Sequence, residues 1–358
     1  MNKIINNNFE KVIDLFFEEI QKEYNINKKR LYKFYNDKYN NYNNIDIIPG
    51  KINLGLCCIN TILREQKPPI FNSRTCTRKT FTIEHAKKLA IQNIKDIIPM
   101  IKWNSENNIK CFRLSSDIFP HFTDEALPSY DINFSIKLLR EVGDYIKEKN
   151  IRVLMHPGQY NQVGANTERV FNSTKKDLQH HADILDAMGI DDNGVLIVHG
   201  GGIYGDKDKT IKRWISQYFE LSPEIRKRLV IENCEKCYSV QDVLYISGEI
   251  KKLGGDLPVV LDNHHYICYG QLHEDIQDSI ESLIPKVLKT WGNRRPVFHI
   301  SEQGDGKCGH HSDYITEIPN YYLEIPKKYG ISFDLEIEAK KKEQAILRLY
   351  NKYPDLLE

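Results

Sequence analysis

The chain has 358 residues, a net charge of +1 at pH 7, 41% hydrophobic and 28% charged residues, and a mean hydropathy of −0.51. These values are typical of a globular protein. They exclude a membrane-spanning protein, which needs apolar runs of about 20 residues, and a strongly basic, non-specific nucleic-acid binder. Eight cysteines are too sparse for a disulfide scaffold, so we expect reduced thiols. Acids within the first apolar stretch argue against a signal peptide. We therefore expect an intracellular protein, cytoplasmic or nuclear, that is neither secreted nor inserted in a membrane.

The first 48 residues differ in composition from the rest of the chain. Asn, Lys, Tyr and Ile dominate them, and apolar residues recur at helical spacing between Phe9 and Tyr24. We interpret residues 1–48 as an N-terminal extension, helical or partly disordered, and residues 49–358 as one folded domain.

From residue 51 onward, short apolar runs alternate with amphipathic helical patterns. Parallel strands need crossover helices and are buried on both faces, so this alternation predicts a parallel α/β sheet. Over about 300 residues, eight such units close most economically into a (β/α)8, or TIM, barrel. An open doubly wound sheet is the alternative, but no G-x-G-x-x-G follows the first strand. The predicted strands are Ile52–Ile59, Lys110–Leu114, Ile151–Met155, Gly194–Val198, Arg228–Ile231, Pro258–Leu261, Pro296–Ile300 and Ile331–Ile337. The predicted helices include Ile83–Asn104, Phe134–Lys149, Glu168–Met188, Val240–Leu253 and Ile276–Lys289.

Ionisable side chains collect just after the predicted strands. They are His156, His199, Glu232, Asp262, His265, His299, His311 and Glu338. Catalytic groups of TIM barrels come from the carboxyl ends of the strands, so these side chains should converge on one face. Imidazole and carboxylate together suit Mn2+, Zn2+ or Fe, and eight ligands are too many for one ion. We therefore predict two or three divalent ions, as at a phosphoryl-transfer centre. Spacing alone does not separate His311 from its neighbour His310.

Two features indicate a nucleic-acid substrate. The loop after the first strand carries five cations against one acid, and we expect Arg74, Arg78 and Lys79 to contact DNA phosphates there. Gln159 and Tyr160 follow the turn after His156. An amide and an aromatic ring beside a metal centre could wedge into a base stack.

With these motifs, the chain resembles the UV damage endonuclease (UVDE) family from residue 51 to about residue 345. The resemblance is carried by NLGLCCIN, DIIPMIKWN, FRLSSDIFPH, LMHPGQY, VHGGGIYGDK, LVIENCEK, VVLDNHH, VFHIS and EIEAKKKE, in this order. It implies a TIM-barrel endonuclease domain, related in shape to endonuclease IV, with a manganese cluster at its carboxyl face.

The resemblance also implies roles for single residues. Metal ligation falls to His156, His199, Glu232, Asp262, His265, His299, His311 and Glu338, with Asp124 as a further candidate. Glu232 corresponds to the bridging carboxylate, and we assign catalysis to Glu232 and His199. Gln159 and Tyr160 match the pair that probes the damaged strand. The implied reaction is hydrolysis of double-stranded DNA immediately 5′ to a cyclobutane dimer, a 6-4 photoproduct or an abasic site. We expect a monomer, because duplex DNA needs open access to the barrel face.

Three positions depart from the family pattern. Asp124 stands where the family has a second His after the FPH motif. Val297 replaces a lysine that is carboxylated as a metal bridge in at least some members, and Leu56 replaces an aromatic residue associated with damage recognition. The first two positions bear on the composition of the cluster, and the third bears on lesion recognition.

Three alternative functions remain open at this point. An abasic-site endonuclease of endonuclease IV type would lack photoproduct activity. A damage-binding protein with a disabled cluster would bind irradiated DNA without cutting it. A sugar isomerase or epimerase on the same barrel would gather similar ligands but have no use for the basic loop.

Overall fold

The computed structural model describes residues 50–273 and 278–357, and within them eight parallel strands form one closed barrel in chain order. The strands are β1 (Ile52–Cys57), β2 (Cys111–Leu114), β3 (Arg152–Met155), β4 (Leu196–His199), β5 (Leu229–Glu232), β6 (Val259–Asp262), β7 (Val297–Ile300) and β8 (Phe333–Ile337). β1 closes the barrel against β8, with Ile52 opposite Phe333 and Leu56 opposite Ile337. The predicted TIM barrel is confirmed, and each predicted strand is present with its ends shifted by at most two residues.

Helices connect the strands around the barrel. Within the described residues they are α1 (Thr61–Arg64), α2 (Ile83–Glu106), α3 (Ile136–Glu148), α4 (Glu168–Met188), α5 (Lys207–Tyr218), α6 (Pro223–Arg226), α7 (Val240–Lys252), α8 (Asn263–Leu272), α9 (Ile280–Thr290), α10 (Asn320–Leu323), α11 (Ile325–Tyr329) and α12 (Lys342–Lys352). Local signals set several of their ends. Thr82 caps α2 by accepting the His85 N–H, and α4 ends at Gly189, whose φ of +68° suits glycine.

Three further expectations concern the N-terminal extension, the cysteines and membrane insertion. The predicted N-terminal extension, residues 1–48, lies outside the described residues, as does its predicted helix between Phe9 and Tyr24. All eight cysteines are free thiols, as expected. In the part of the chain that the structure describes, no helix is long and apolar enough to cross a membrane.

Side chains inside the barrel alternate with side chains that face the helices. The inner apolar layer is formed by Cys111, Leu154, Val195, Ile197, Val230, Val260, Trp291 and Val297. Two residues beyond Ile197, Val230, Val260 and Val297, the same strands carry His199, Glu232, Asp262 and His299. Successive residues of a strand point to opposite faces, so the alternation that buries the apolar layer also delivers these polar groups to the carboxyl end.

The amino end of the barrel holds a separate buried ion-pair network. Asp334 of β8 accepts from Arg152 Nη1 at 2.7 Å and from Arg295 Nε at 2.9 Å, and from the Asn53 amide at 3.0 Å. The Asp334 side chain is fully buried. This network lies at the opposite end of the strands from the predicted ligands and joins strands β1, β3 and β8.

Candidate metal centre

Glu232, the last residue of β5, lies at the centre of the predicted ligands and is only 1% exposed. Its Oε2 is 2.9 Å from His156 Nε2 and 3.3 Å from His199 Nε2. Its Oε1 is 2.9 Å from His299 Nδ1 and 3.4 Å from His265 Nδ1. Four imidazoles from different parts of the barrel therefore surround one carboxylate, with two facing each oxygen.

Asp262, at the end of β6, contributes a second carboxylate with one satisfied and one unsatisfied oxygen. Oδ1 accepts the backbone N–H of His265 at 2.7 Å and so caps α8. Oδ2 is buried without a hydrogen-bond partner among the described residues, and it faces His265 Nδ1 at 3.9 Å and His299 Nδ1 at 4.0 Å. A buried anionic oxygen without a partner costs free energy. The position therefore fits a cation.

Glu338 and His311 extend the cluster toward the barrel mouth. Glu338 Oε1 lies 3.6 Å from His299 Nδ1, and its Oε2 lies 3.7 Å from His311 Nε2. His310 is exposed, and its Nδ1 lies 3.3 Å from the backbone oxygen of Asp305. Of the two neighbours that the sequence could not separate, His311 is the one that faces the cluster.

Three overlapping groups of these atoms are close enough to hold an ion. They are His156–His199–Glu232, His199–Glu235–His265 and Glu232–Asp262–His299. Within each group, one ligand atom per residue lies within 4.8 Å of the others. This mixed set of imidazole and carboxylate donors suits a divalent metal ion.

Sequence reasoning missed three residues of the cluster, Glu235, Arg113 and Glu336. Glu235 Oε2 lies 4.0 Å from His265 Nε2. Arg113 Nη2 lies 2.6 Å from Glu336 Oε2 and 2.6 Å from Glu338 Oε1. The signal that could have revealed Glu336 is the run FDLEIE, in which acids occupy every second position of β8 and its end. One polar residue in the apolar run CFRL marks Arg113 in the same way.

Burial and charge act against each other in this cluster. Burial alone would raise the pKa of the Glu232 carboxyl, but the nearby His299 and His199 lower it well below its usual value. Burial alone would lower the pKa of His299, but Glu232 and Glu336 raise it to about 10. The buried carboxylates thus stabilise a positive charge on His299. Stabilising a buried positive charge is also what a cation site requires.

The predicted probe residues lie at the rim of this cluster. Gln159 lines a cavity of about 320 Å3 together with His156, Glu232 and Glu338. Tyr160 is 65% exposed, and its hydroxyl donates to Asp177 Oδ1 at 3.2 Å. One residue of the pair is therefore next to the candidate ligands, and the other presents its ring to solvent.

The basic loop is divided between structural and exposed cations. Arg74 Nη2 donates to Asp96 at 2.7 Å and to the Pro69 carbonyl at 2.7 Å, so its guanidinium has protein partners. Lys79 is exposed. Arg78 Nε lies 2.8 Å from Asp124 Oδ2, and Arg78 Nη2 lies 3.0 Å from Asp124 Oδ1. Asp124 is thus bound by Arg78 and is not among the ion-holding groups found in the described residues.

The other two departures from the family pattern are both buried. Val297 is fully buried in the inner apolar layer beneath His299, so the lysine position holds no ligand. Leu56 is also fully buried, within the core that packs against the helices. Leu56 therefore offers no surface to DNA.

The fold and this cluster define an enzyme class, a (β/α)8 barrel with a candidate polynuclear metal centre at the carboxyl ends of its strands. Comparison with known proteins identifies the family to which the chain belongs within this class. The family model of the UV-endonuclease UvdE matches residues 52–358. A putative UV-damage endonuclease of Acanthamoeba polyphaga mimivirus is 36% identical over 315 residues, which cover 85% of this chain and 92% of that protein. The UV-damage endonuclease of Schizosaccharomyces pombe is 37% identical over 86% of this chain, and the match spans about half, 51%, of its length.

The solved structures agree with the sequence comparisons. The crystal structure of SacUVDE is 29% identical, with a TM-score of 0.74, and the match covers 85% of this chain and 99% of that one. Endonuclease IV from Thermus thermophilus, at 13% identity and a TM-score of 0.51 over 85% of this chain and 99% of that one, shares the fold. The chain belongs to the UV-endonuclease UvdE family. The expected enzyme class, a nuclease acting on DNA, is confirmed, and the sugar isomerase alternative loses its support.

Proposed function

We propose that the protein cuts the phosphodiester backbone immediately 5′ to UV photoproducts, cyclobutane dimers and 6-4 photoproducts, and also at abasic sites, in a reaction that requires divalent metal ions, most simply two or three Mn2+. One observation carries the proposal most directly. Glu232 is buried among four imidazoles, next to an Asp262 oxygen that has no hydrogen-bond partner in the described residues. This donor set fits the group that the family implies.

The predicted ligands would hold the ions in this arrangement. They are His156, His199, Glu232, Asp262, His265, His299, His311 and Glu338. Bound divalent ions supply Lewis acidity toward the phosphodiester and toward the attacking water. Glu232 contributes the carboxylate shared between the two sides of the cluster. His199, whose Nε2 is 3.3 Å from Glu232 Oε2, belongs to two of the three groups of candidate ligands and borders the cavity.

Recognition of the lesion would fall to the loop after β3. Asp177 fixes this loop, because it accepts from the Tyr160 hydroxyl at 3.2 Å and from the Asn161 amide at 2.8 Å. Gln162 donates to the Gln159 carbonyl at 2.8 Å. A dimer or an abasic site is poorly stacked, so extruding it costs less than the few kcal/mol that a normal base pair requires. Gln159 and Tyr160 would fill the gap that the extruded nucleotide leaves.

A nicking assay tests the proposal. An end-labelled duplex with one cyclobutane dimer is incubated with protein and Mn2+, Mg2+ or EDTA, and a second duplex carries one abasic site. We expect a metal-dependent cut directly 5′ to the dimer and none with the Glu232→Gln variant. Glu317→Gln, at an exposed carboxylate, is the control and should cut like the wild type. Cleavage in EDTA, or cleavage that survives Glu232→Gln, would contradict the proposed centre.

The same assay also tests the alternative of a damage-binding protein with a disabled cluster, which the enzyme class of the relatives disfavours. This alternative is motivated by Val297, which is buried in an apolar layer and offers no ligand where the family has its lysine. This candidate predicts intact DNA under every metal condition, together with preferential binding of the dimer duplex over undamaged DNA in a mobility-shift assay.

A further inference from the structure

The side-chain amide of Gln162 connects two loops at the carboxyl end of the barrel. These are the probe loop, residues 156–167 between β3 and α4, and the β4 loop, residues 200–206 between β4 and α5. Gln162 Oε1 accepts the backbone N–H of Gly202 at 2.7 Å, and its Nε2 donates to the backbone carbonyl of Gln159 at 2.8 Å. An N–H only donates and a carbonyl only accepts, so these two partners determine which end of the amide is the oxygen.

The β4 loop is shaped to receive this amide. Gly201 has a φ of +88°, and a Cβ at that position would lie 2.4 Å from Gln162 Oε1, so a larger residue would displace the amide. Tyr204 donates its hydroxyl to the same oxygen at 3.3 Å, and its φ is +48°, which is rare for a bulky residue. Backbone held in such sparsely populated conformations is concentrated at functional sites.

Contacts that do not involve the Gln162 amide also hold the two loops together. Arg213 of α5 donates from Nε to the Gly164 carbonyl of the probe loop at 2.9 Å, and its guanidinium lies 5.4 Å from the centre of the Tyr204 ring. Tyr160 is held separately by Asp177. The loops and the exposed Tyr160 ring should therefore keep their places when the amide is removed.

The two ends of the Gln162 bridge have different tasks in the proposed function. One end holds Gln159, which is expected to probe the lesion, and the other holds the loop that directly follows the candidate ligand His199. We propose that Gln162 is a positioning residue that fixes the probe loop relative to the metal centre, so that a bound lesion places the scissile phosphodiester at the metal ions. The inference rests on the proposed function, since it presupposes the probe role of Gln159.

Removing the bridge should slow cutting without weakening lesion binding. A misplacement of reacting atoms by about 1 Å can cost about 100-fold in rate. Gln162→Met keeps the length of the side chain and removes both hydrogen bonds. Gln179→Met is the matched control, because Gln179 on α4 is also half-buried and also bridges two partners, donating to Asp183 Oδ1 and accepting from the Ser222 hydroxyl.

The measurement is single-turnover cleavage of the dimer duplex with Mn2+ at several protein concentrations. It gives a maximal rate and a half-saturating protein concentration, and product release does not enter either value. We expect the maximal rate to fall about 10- to 100-fold in Gln162→Met. The half-saturating concentration, the Mn2+ Kd and the circular dichroism spectrum should stay at the wild-type values, and Gln179→Met should match the wild type in every measurement.

The outcomes separate this inference from the proposed function. A wild-type protein that leaves the dimer duplex uncut contradicts the proposed function and the inference with it. Wild-type cutting with an unchanged maximal rate in Gln162→Met overturns the role of Gln162 alone. A loss of Mn2+ affinity in Gln162→Met, or equal slowing in Gln179→Met, would also overturn it.

A second variant tests whether both ends of the bridge are needed. The carboxylate of Gln162→Glu can still accept the Gly202 N–H, but it has no hydrogen to donate to the Gln159 carbonyl. We expect its maximal rate to be as low as that of Gln162→Met. A wild-type rate in Gln162→Glu would show that the contact with Gly202 is sufficient, and it would overturn the link between Gln159 and the metal centre.

Discussion

The carboxylate of Glu232 and the imidazole of His299 face each other at 2.9 Å, with side chains 1% and 0% exposed. They come from β5 and β7, with β6 between them. A carboxylate oxygen and an unprotonated Nδ1 are both acceptors, so at this distance a proton or a metal ion must lie between them. The pair thus links metal binding to proton release.

We expect Mn2+ affinity to increase with pH. Burial lowers the pKa of His299, but Glu232 and Glu336 raise it to about 10, so the metal-free imidazole carries two protons at neutral pH and must lose one to coordinate. Between pH 6 and 8, the Kd should fall by up to about tenfold per pH unit for each proton released. Titration calorimetry in two buffers of different ionisation enthalpy measures the number of protons. The dependence should be shallower for His299→Gln, and a pH-independent Kd would contradict the prediction.

The raised pKa of His299 also determines how the stability of the metal-free protein changes with pH. The folded-state pKa of His299, about 10, exceeds its ordinary value of 6.5. The ion pairs with Glu232 and Glu336 therefore stabilise the fold fully below about pH 6.5, and this stabilisation is lost as the pH rises through about 10. Thermal unfolding in EDTA at pH 7 and pH 10 measures it. His299→Gln should lose less stability over this range than the wild type.

Asp262→Asn should remove most of the stabilisation that Mn2+ gives to the fold. Asparagine keeps an Oδ1 that can accept the His265 N–H and cap α8, but it removes the negative charge of the oxygen that has no partner. A ligand at 100 times its Kd stabilises a protein by about 2.7 kcal/mol. The measurement is the shift in unfolding midpoint on adding Mn2+, with Asp305→Asn, at an exposed loop position, as the control. An undiminished shift in Asp262→Asn would exclude Asp262 as a ligand.

Gln159→Ala/Tyr160→Ala should lose discrimination between damaged and intact DNA while keeping its metal. Gln159 borders the cavity, and the Tyr160 ring is 65% exposed, so neither truncation opens the core. The measurement is the ratio between cleavage of the dimer duplex and cleavage of the undamaged duplex, together with the Mn2+ content of the protein. Tyr245→Ala removes a similarly exposed ring from α7 and should leave the ratio unchanged. Unaltered selectivity in the double variant would refute the probe role.

Two cations of the basic loop should respond differently to truncation. Lys79→Ala should weaken DNA binding and reduce the slope of log K against log salt by about 0.9, the value for one lost phosphate contact. Arg74→Ala should instead destabilise the fold by about 1.5–3 kcal/mol, since it breaks a charged hydrogen bond to Asp96. Fluorescence anisotropy at several salt concentrations and urea denaturation measure the two effects. A salt slope that changes in Arg74→Ala but not in Lys79→Ala would reverse these assignments.

Local pattern predicted most of the fold because each barrel strand is a short apolar run between amphipathic helices. The run RLVI predicted β5, which the structure places at Leu229–Glu232, and Glu232 was predicted to be a ligand because carboxyl ends of parallel strands share one face. Glu336 and Arg113 were not predicted to belong to the cluster, because both lie inside strands, where a polar residue is normally paired and structural. Only the register of β7 and β8 shows that Glu336 lies beside His299.

The sequence by itself determined the barrel, the positions of its strands to within two residues and the residue types at their carboxyl ends, because hydrophobic alternation and strand polarity are local properties of the chain. It also determined the family through the order of its motifs. Tertiary structure alone decided which oxygen of Asp262 lacks a partner among the described residues, that His311 rather than His310 faces Glu338, and that Asp124 pairs with Arg78. These are distances between side chains far apart in the sequence, and they depend on barrel closure and rotamers, which no local pattern specifies.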